Sequence, residues 1–206
     1  GITRILEFAA FLFPAAGILV EKIFSMDAAW AFTVAALLWV YLGIQKGQVT
    51  QDGLTGLNNR RRLDQYMWEL DERSGERETC CYLLMDVNKF KKGNDTYGHV
   101  TGDEVLRLVA EQLKRTFGNM QAFLARYGGD EFVVIVKGKT QDEMDVIIHQ
   151  TQENVNAIAW AADTPWQLSI SIGCAMRGEQ GKQKSHELLE LADERMYRQK
   201  KGIQDR

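Results

Sequence analysis

A chain of 206 residues has room for one ordinary domain and a smaller appendage. Its 25 basic and 28 acidic residues leave a net charge of −3, which offers no polyanion-binding surface and argues against nucleic acid as a partner; a small phosphorylated ligand needs only a few local charges. The three cysteines, Cys80, Cys81 and Cys174, show no metal or redox spacing and read as reduced, buried thiols.

The chain begins with Gly1 and reads as a fragment of a longer protein, and its first part, residues 1–46, is unlike the rest. From Ala28 to Gln45 no side chain is charged, and Trp30, Trp39 and Tyr41 stand towards the ends. A helix of about 20 apolar residues, within a range of roughly 17–25, crosses a bilayer, and aromatic residues sit well at its interfaces. The preceding run, Ile5 to Val20, is weaker: Glu7 and Pro14 interrupt it, and Glu21 and Lys22 end it. The pair reads as two transmembrane helices, with a buried helical hairpin as the alternative. Both spanning, they leave Arg4, Lys46 and Arg60–Arg62 on the cytoplasmic side. A cleaved signal peptide fits poorly, because the stronger run comes second. The polar stretch Lys46 to Gln51 is compatible with a helix that continues into the second part, residues 47–206.

That second part alternates between helical and strand periods. Arg61 to Arg73 places Leu63, Tyr66, Met67 and Leu70 on one helical face. Cys80 to Met85 is a continuous apolar run, the pattern of a buried central strand, and Asp86 follows it. Val105 to Phe117 is amphipathic. Ala122 to Tyr127 and Phe132 to Val136 flank Gly128 and Gly129 as the arms of a hairpin. A helix over about Gln141 to Ile158, a strand over Gln167 to Ile172 with one polar face, and a helix over His186 to Lys200 complete the order. From the central strand onward, with a short helix after Asn88, the order β-α-α-β-β-α-β-α predicts an α+β fold with helices on a mainly antiparallel sheet.

The hairpin sequence RYGGDEF, Arg126 to Phe132, puts two acids, Asp130 and Glu131, at a turn whose glycines let a ligand approach the backbone. Alone, such a turn is an ordinary acidic hairpin. Asp86 changes that reading, because a central strand and a hairpin tip can bring Asp86 and Asp130 to one sheet edge. Two acids there suit Mg²⁺, which takes hard oxygen ligands, substrate phosphates and water. Two such ions would stabilise attacking and leaving oxygens in nucleotidyl transfer. After Asp86, Asn88 is placed to cap a short helix whose start, with Lys89, Lys91 and Lys92, would cradle phosphates; a solvated lysine face is the alternative. The Asp103 carboxylate could accept from a guanine edge and the Asn94 amide could add a donor and an acceptor, but turn or cap roles explain each residue better, and guanine choice does not follow from spacing.

Six segments in order resemble the GGDEF family of diguanylate cyclases: DGLTGLNNRR (Asp52 to Arg61), MDVNKFKKGNDTYGH (Met85 to His99), TGDEVL (Thr101 to Leu106), RYGGDEF, SISIG (Ser169 to Gly173) and ADERMYRQKK (Ala192 to Lys201). The resemblance implies a palm-like fold similar to that of adenylyl cyclases and condensation of two GTP molecules into cyclic di-GMP. It implies two Mg²⁺ ions per site, with Mn²⁺ as a substitute, held by Asp86, Asp130 and the Val87 carbonyl. Glu131 would deprotonate or polarise the attacking 3′-OH. Phe90, through its backbone, Lys91 and Lys200 would contact phosphates, Gly128 and Gly129 would lie against the nucleotide, and Asn94 and Asp103 would read guanine. Since each domain holds one GTP, the resemblance implies a homodimer. Location at the bacterial inner membrane, with the catalytic part in the cytoplasm, follows from the N-terminal runs. A module that only binds GTP or cyclic di-GMP is the alternative, and the full set of Asp86, Asp130 and Glu131 argues against it.

Three positions depart from the family pattern. Asn88 stands where many members have Asp. The closing KKGIQDR has no clear counterpart to an arginine that helps bind phosphate, with Lys201 or Arg206 as substitutes. Asn119 to Ala122 replaces the Arg-x-x-Asp of an inhibitory product site, so feedback through that site is not expected. His99 has no metal partner in sequence and reads as structural.

Overall fold

The computed structural model describes residues 15–20, 22, 29–46, 50–72, 79–158, 166–177 and 184–204. The chain forms two compact units, residues 1–49 and 50–206.

In the first unit, α1 spans Ala29–Lys46. Its 18 residues measure about 27 Å at 1.5 Å per residue, and Gln45 and Lys46 take its last turn out of the apolar run. Among the described residues no helix is long and apolar enough to cross a membrane, so the expected span over Ala28–Gln45 is not met by α1. Of the weaker run, Ile5 to Val20, only residues 15–20 are described, and they are helical. Along α1, Trp30, Val34, Leu37, Leu38, Trp39 and Tyr41 are exposed.

The second unit contains α2 (Arg60–Glu72), β1 (Cys80–Val87), α3 (Phe90–Tyr97), α4 (His99–Phe117), β2 (Ala122–Arg126), β3 (Glu131–Lys137), α5 (Gln141–Asn156), β4 (Ile170–Met176) and α6 (Ser185–Gln204). The strands form one sheet in the order β2-β3-β1-β4, and every pairing is antiparallel. Helices cover both faces, so side chains of either parity along β1 are buried, and the strand reads as an unbroken apolar run. Cys81, Leu83, Met85 and Val87 face Val105, Leu106, Val109, Leu113 and Phe117 of α4 and Met144 and Val155 of α5. Cys80, Tyr82 and Leu84 face Leu63, Met67 and Leu70 of α2 and Leu188, Leu189, Ala192 and Met196 of α6. The α+β architecture with an antiparallel sheet is therefore as the periodicity predicts.

Boundaries moved where side chains replace the usual signals. β4 starts at Ile170, three residues later than the alternation predicts, and all seven of its residues are buried. The polar face expected there is satisfied internally, for the Ser171 hydroxyl donates to Asn88 Oδ1 at 2.7 Å. α4 starts at His99 instead of Val105, behind Gly98 at φ 87°, with no side-chain cap to announce it. α5 begins with a capping box, in which the Glu143 amide donates to Thr140 Oγ1 and the Thr140 amide to Glu143 Oε2.

As an edge strand, β4 is protected by α6. Gln199 Oε1 accepts the Ile172 amide at 2.6 Å, and Arg195 donates to the Cys174 carbonyl at 2.6 Å, which fills groups that would otherwise invite another strand. Gly173 permits that closeness, since a β-carbon there would overlap the Ala192 carbonyl and the Met196 amide. Gly173→Ala is expected to destabilise the domain by about 1–3 kcal/mol, as overpacking does, or more if the helix backbone cannot yield. Urea unfolding checks this, and an unchanged midpoint would show that α6 is not held by that contact.

Candidate active site

The hairpin is wider than a Gly-Gly turn would make it. Tyr127 to Asp130 form a four-residue connection, and Glu131 is already the first residue of β3. The amides of Tyr127 and Gly128 both donate to the Glu131 carbonyl, at 2.8 and 3.3 Å. Neither glycine uses the left-handed region. A β-carbon on Gly128 would meet Glu131 Oε2, so the Glu131 carboxylate lies over that glycine, whereas Gly129 faces open space.

Arg126, quoted in the motif but given no task by the sequence, pins the tip. Its guanidinium donates to the Gly129 carbonyl at 2.7 and 3.3 Å and, through Nη1, to Asp52 Oδ1 and Oδ2 at 3.1 and 3.2 Å. Asp52 also accepts from the Thr55 amide at 2.9 Å and hydroxyl at 2.7 Å. Burial works to raise the Asp52 pKa, but the Thr55 bonds and Arg126 outweigh it and hold the carboxyl below its ordinary value. The segment that opens the domain is thus joined to the hairpin tip through one arginine.

Asp86 lies inside β1, not after it, and is 6% exposed. It pairs across the sheet with Glu131, while the Val87 amide donates to the Asp130 carbonyl at 3.2 Å. Asp86, Val87, Asp130 and Glu131 are therefore brought together at one end of the two central strands. Lys200, expected at a phosphate, reaches from α6 to Asp86 Oδ1 at 2.7 Å.

The pKa of Asp130 is raised by burial and then by the charge of Asp86, against the pull of a backbone hydrogen bond, Lys200 and Arg126. That of Glu131 is raised by burial, then by Asp86, Asp130 and Asp193, with Lys200 opposing. Asp193 was not singled out from the sequence. It lines, with Asp64, Met67, Glu131, His186 and Glu190, a cavity of about 260 Å³ on the α2 and α6 face.

Among the described residues no group of three or more His, Cys, Asp or Glu is arranged to hold a metal ion. A site for Mg²⁺ needs less from the protein, because that ion keeps waters and substrate phosphates beside one or two carboxylates. Asp86, Asp130 and the Val87 carbonyl fit this demand. Burial and the nearby Asp86 charge raise the proton affinity of Asp130, an environment that a divalent cation relieves.

The predicted cap at Asn88 is corrected. Lys89 is the N-cap of α3, in the left-handed region at φ 58°, and it makes no side-chain cap. Asn88 turns inward, accepting from Ser171 at 2.7 Å and donating to Ser169 Oγ at 3.1 Å. Sequence favoured Asn as a cap, but a buried amide between two serines satisfies more groups. Lys91 and Lys92 are exposed, and Phe90 is half-buried. Asn94 Oδ1 is buried with no hydrogen-bond partner among the described residues and lies where any β-carbon on Gly102 would overlap it. Asp103, one residue further along α4, is exposed. A buried acceptor left unpaired is costly, so the Asn94 oxygen calls for a donor from water or another bound group.

Residues 49–206 match the family model described as "Diguanylate cyclase, GGDEF domain". Among curated relatives, the chain is 28% identical over 167 residues to Diguanylate cyclase DgcP of Pseudomonas aeruginosa, covering 81% of this chain and 25% of that one. It is 38% identical over 156 residues to Probable diguanylate cyclase DgcI of Escherichia coli, covering 73% of this chain and 31% of that one. The chain thus spans about a quarter to a third of the length of these relatives. The GGDEF domain of DgcB from Caulobacter crescentus, solved in complex with c-di-GMP, superposes with a TM-score of 0.66 at 31% identity, covering 75% of this chain and 92% of that one. With three quarters of its length matched by the family model, the acid pair of its hairpin facing Asp86 across an antiparallel sheet, and a relative above 30% identity, this chain belongs to the GGDEF family of diguanylate cyclases.

Proposed function

We propose that residues 47–206 condense two GTP molecules into cyclic di-GMP and two pyrophosphates, as a homodimer in which each protomer presents one nucleotide. The observation that carries this reading is the register pair Asp86–Glu131, with Asp130 beside it, at the end of the central strands. In each half-reaction the 3′-oxygen of one GTP bonds to the α-phosphorus of the other. The bond from that phosphorus to the bridging oxygen breaks, and pyrophosphate leaves. Glu131 accepts or polarises the 3′-OH proton, a role helped by an environment that raises its proton affinity.

Asp86, Asp130 and the Val87 carbonyl would hold Mg²⁺, which when bound supplies charge neutralisation at the phosphates. Lys91 and the uncapped start of α3, including the Phe90 backbone, face phosphate oxygens. Lys200, which donates to Asp86 at 2.7 Å, would serve as a second cation for the phosphates. Gly128 and Gly129 leave room for the nucleotide, and Asn94 with Asp103 reads guanine, the unpartnered Asn94 oxygen taking a donor from the base.

Attachment to the bacterial inner membrane through residues 1–46 belongs to the same proposal. It rests on the uncharged run Ala28–Gln45 and on the exposed apolar side chains of α1.

The test incubates the whole chain, in detergent micelles, with GTP and Mg²⁺ and identifies the product by mass. Cyclic di-GMP and pyrophosphate in a 1:2 ratio are expected. A folded dimer that binds GTP and yields no cyclic di-GMP would refute cyclase activity and leave the domain as a nucleotide-binding module.

A further inference from the structure

We infer that Trp166 is a positioning residue for base recognition: its indole, seated against Gly93 between Phe90 and Tyr97, fixes the helix that carries Asn94. This rests on the function proposed above.

Helix α3 has only eight residues and no side-chain N-cap, and it begins behind a left-handed lysine. So short a helix has little stability of its own, so its position is set by what packs on it. Trp166, 8% exposed, supplies that packing from the segment before β4. Its ring lies 6.0 Å from the Tyr97 ring at 14° and 6.0 Å from the Phe90 ring at 43°. Between those two residues, Gly93 meets the indole so closely that a β-carbon would overlap Cζ2, Cη2 and Cε2.

The next residue is Asn94, whose buried, unpartnered Oδ1 lies against Gly102 on the other side. The carboxamide is therefore placed between a helix backed by tryptophan and a glycine of α4, whose missing β-carbon leaves the room that Oδ1 occupies. A recognition group has to be held within about 0.5 Å of its working position, and an error near 1 Å can cost on the order of a hundredfold. No feature of the nucleotide has to touch Trp166 for this to matter. Its effect passes through Gly93 to Asn94.

The experiment compares wild type, Trp166→Leu, Gly93→Ala and the double variant, measuring KM and kcat for GTP and for inosine triphosphate, which lacks the 2-amino donor. Trp166→Leu is expected to raise the KM for GTP about tenfold and to shrink the preference for GTP over inosine triphosphate. kcat at saturation should change by less than about threefold. Gly93→Ala, with its methyl forced into the indole, should do the same, and the double variant should recover part of the loss because the smaller side chain makes room. Trp166→Phe, which keeps a ring, should sit between wild type and leucine, and it replaces the leucine variant if that one fails to fold.

A lowered Tm with an unchanged base preference would overturn the inference, as would additive effects of the two substitutions. Wild-type protein that binds no GTP removes the proposed function and this inference together, whereas intact wild-type selectivity that survives in Trp166→Leu removes only the inference.

Discussion

Glu131→Gln is expected to bind GTP close to wild-type strength and to lose turnover by about a hundredfold to ten-thousandfold, the usual worth of a positioned proton acceptor. The substitution keeps the shape of the side chain, and therefore the fit against Gly128, while removing the charge. Glutamine accepts no proton at an accessible pH, so what is lost is the group that draws the proton from the 3′-OH. Burial, then Asp86, Asp130 and Asp193, raise the Glu131 pKa. In the cation-free wild type the Glu131 carboxyl should consequently take up its proton above the ordinary glutamate value of about 4.3. Protonation removes the acceptor, and bound cations oppose that protonation. Single-turnover rates with GTP affinity measured separately check the loss of turnover, and an NMR titration of the cation-free protein checks the direction of the shift. Turnover at wild-type rates in the variant would take Glu131 out of the mechanism.

Much of the domain could be read directly, for a physical reason. β1 is buried on both faces, so its sequence is apolar without interruption, and α2, α4 and α6 carry one apolar stripe each, so their periods are plain. Boundaries were harder where a polar residue is satisfied by a distant partner. Ser169 and Ser171 looked like a solvated face because Asn88, some 80 positions earlier in the chain, was not visible as their partner. Asn88 in turn looked like a cap because nothing local showed that it turns inward.

At the site, the motif residues were legible by spacing, but the groups that tune them were not. Asp193 and Lys200 approach from the last helix, and their nearness to Glu131 and Asp86 exists only once α6 lies across the sheet. Arg126 was in plain view within the motif, and Asp52 opened the domain, yet their pairing spans 74 positions. Trp166 carried no motif at all. Its signal was Gly93, a glycine in a helix that needs no unusual backbone there and is explained only by a large neighbour.

Asp130→Asn is expected to abolish turnover, by on the order of a thousandfold or more, and at the same time to raise thermal stability at neutral pH in the absence of divalent cations. The first effect follows from losing one of the two carboxylates assigned to the cation. The second follows from the crowding that assignment requires. Burial and the charge of Asp86 raise the Asp130 pKa above its unfolded value, so the folded chain binds this proton more tightly than the unfolded chain does. Stability therefore grows as pH falls through the raised pKa, and above it the ionised carboxylate destabilises the fold in full. Asparagine removes that repulsion at every pH. Its advantage over wild type should be largest at neutral pH and should shrink as pH falls through that raised pKa, where the wild-type carboxyl takes up its own proton. Because Asp130 is partly open to solvent, screening reduces the effect, and added salt should narrow the gap further. Mg²⁺ reverses the ranking, since a cation that binds the folded carboxylates stabilises wild type by mass action and has less to hold in the variant. Thermal unfolding of both proteins from neutral pH down to the acid limit of the fold, with and without Mg²⁺, measures all of this in one series. A variant less stable than wild type at pH 7 without cations would mean that Asp130 is held by favourable partners and not crowded by Asp86, and the proposed cation pair would lose its electrostatic support.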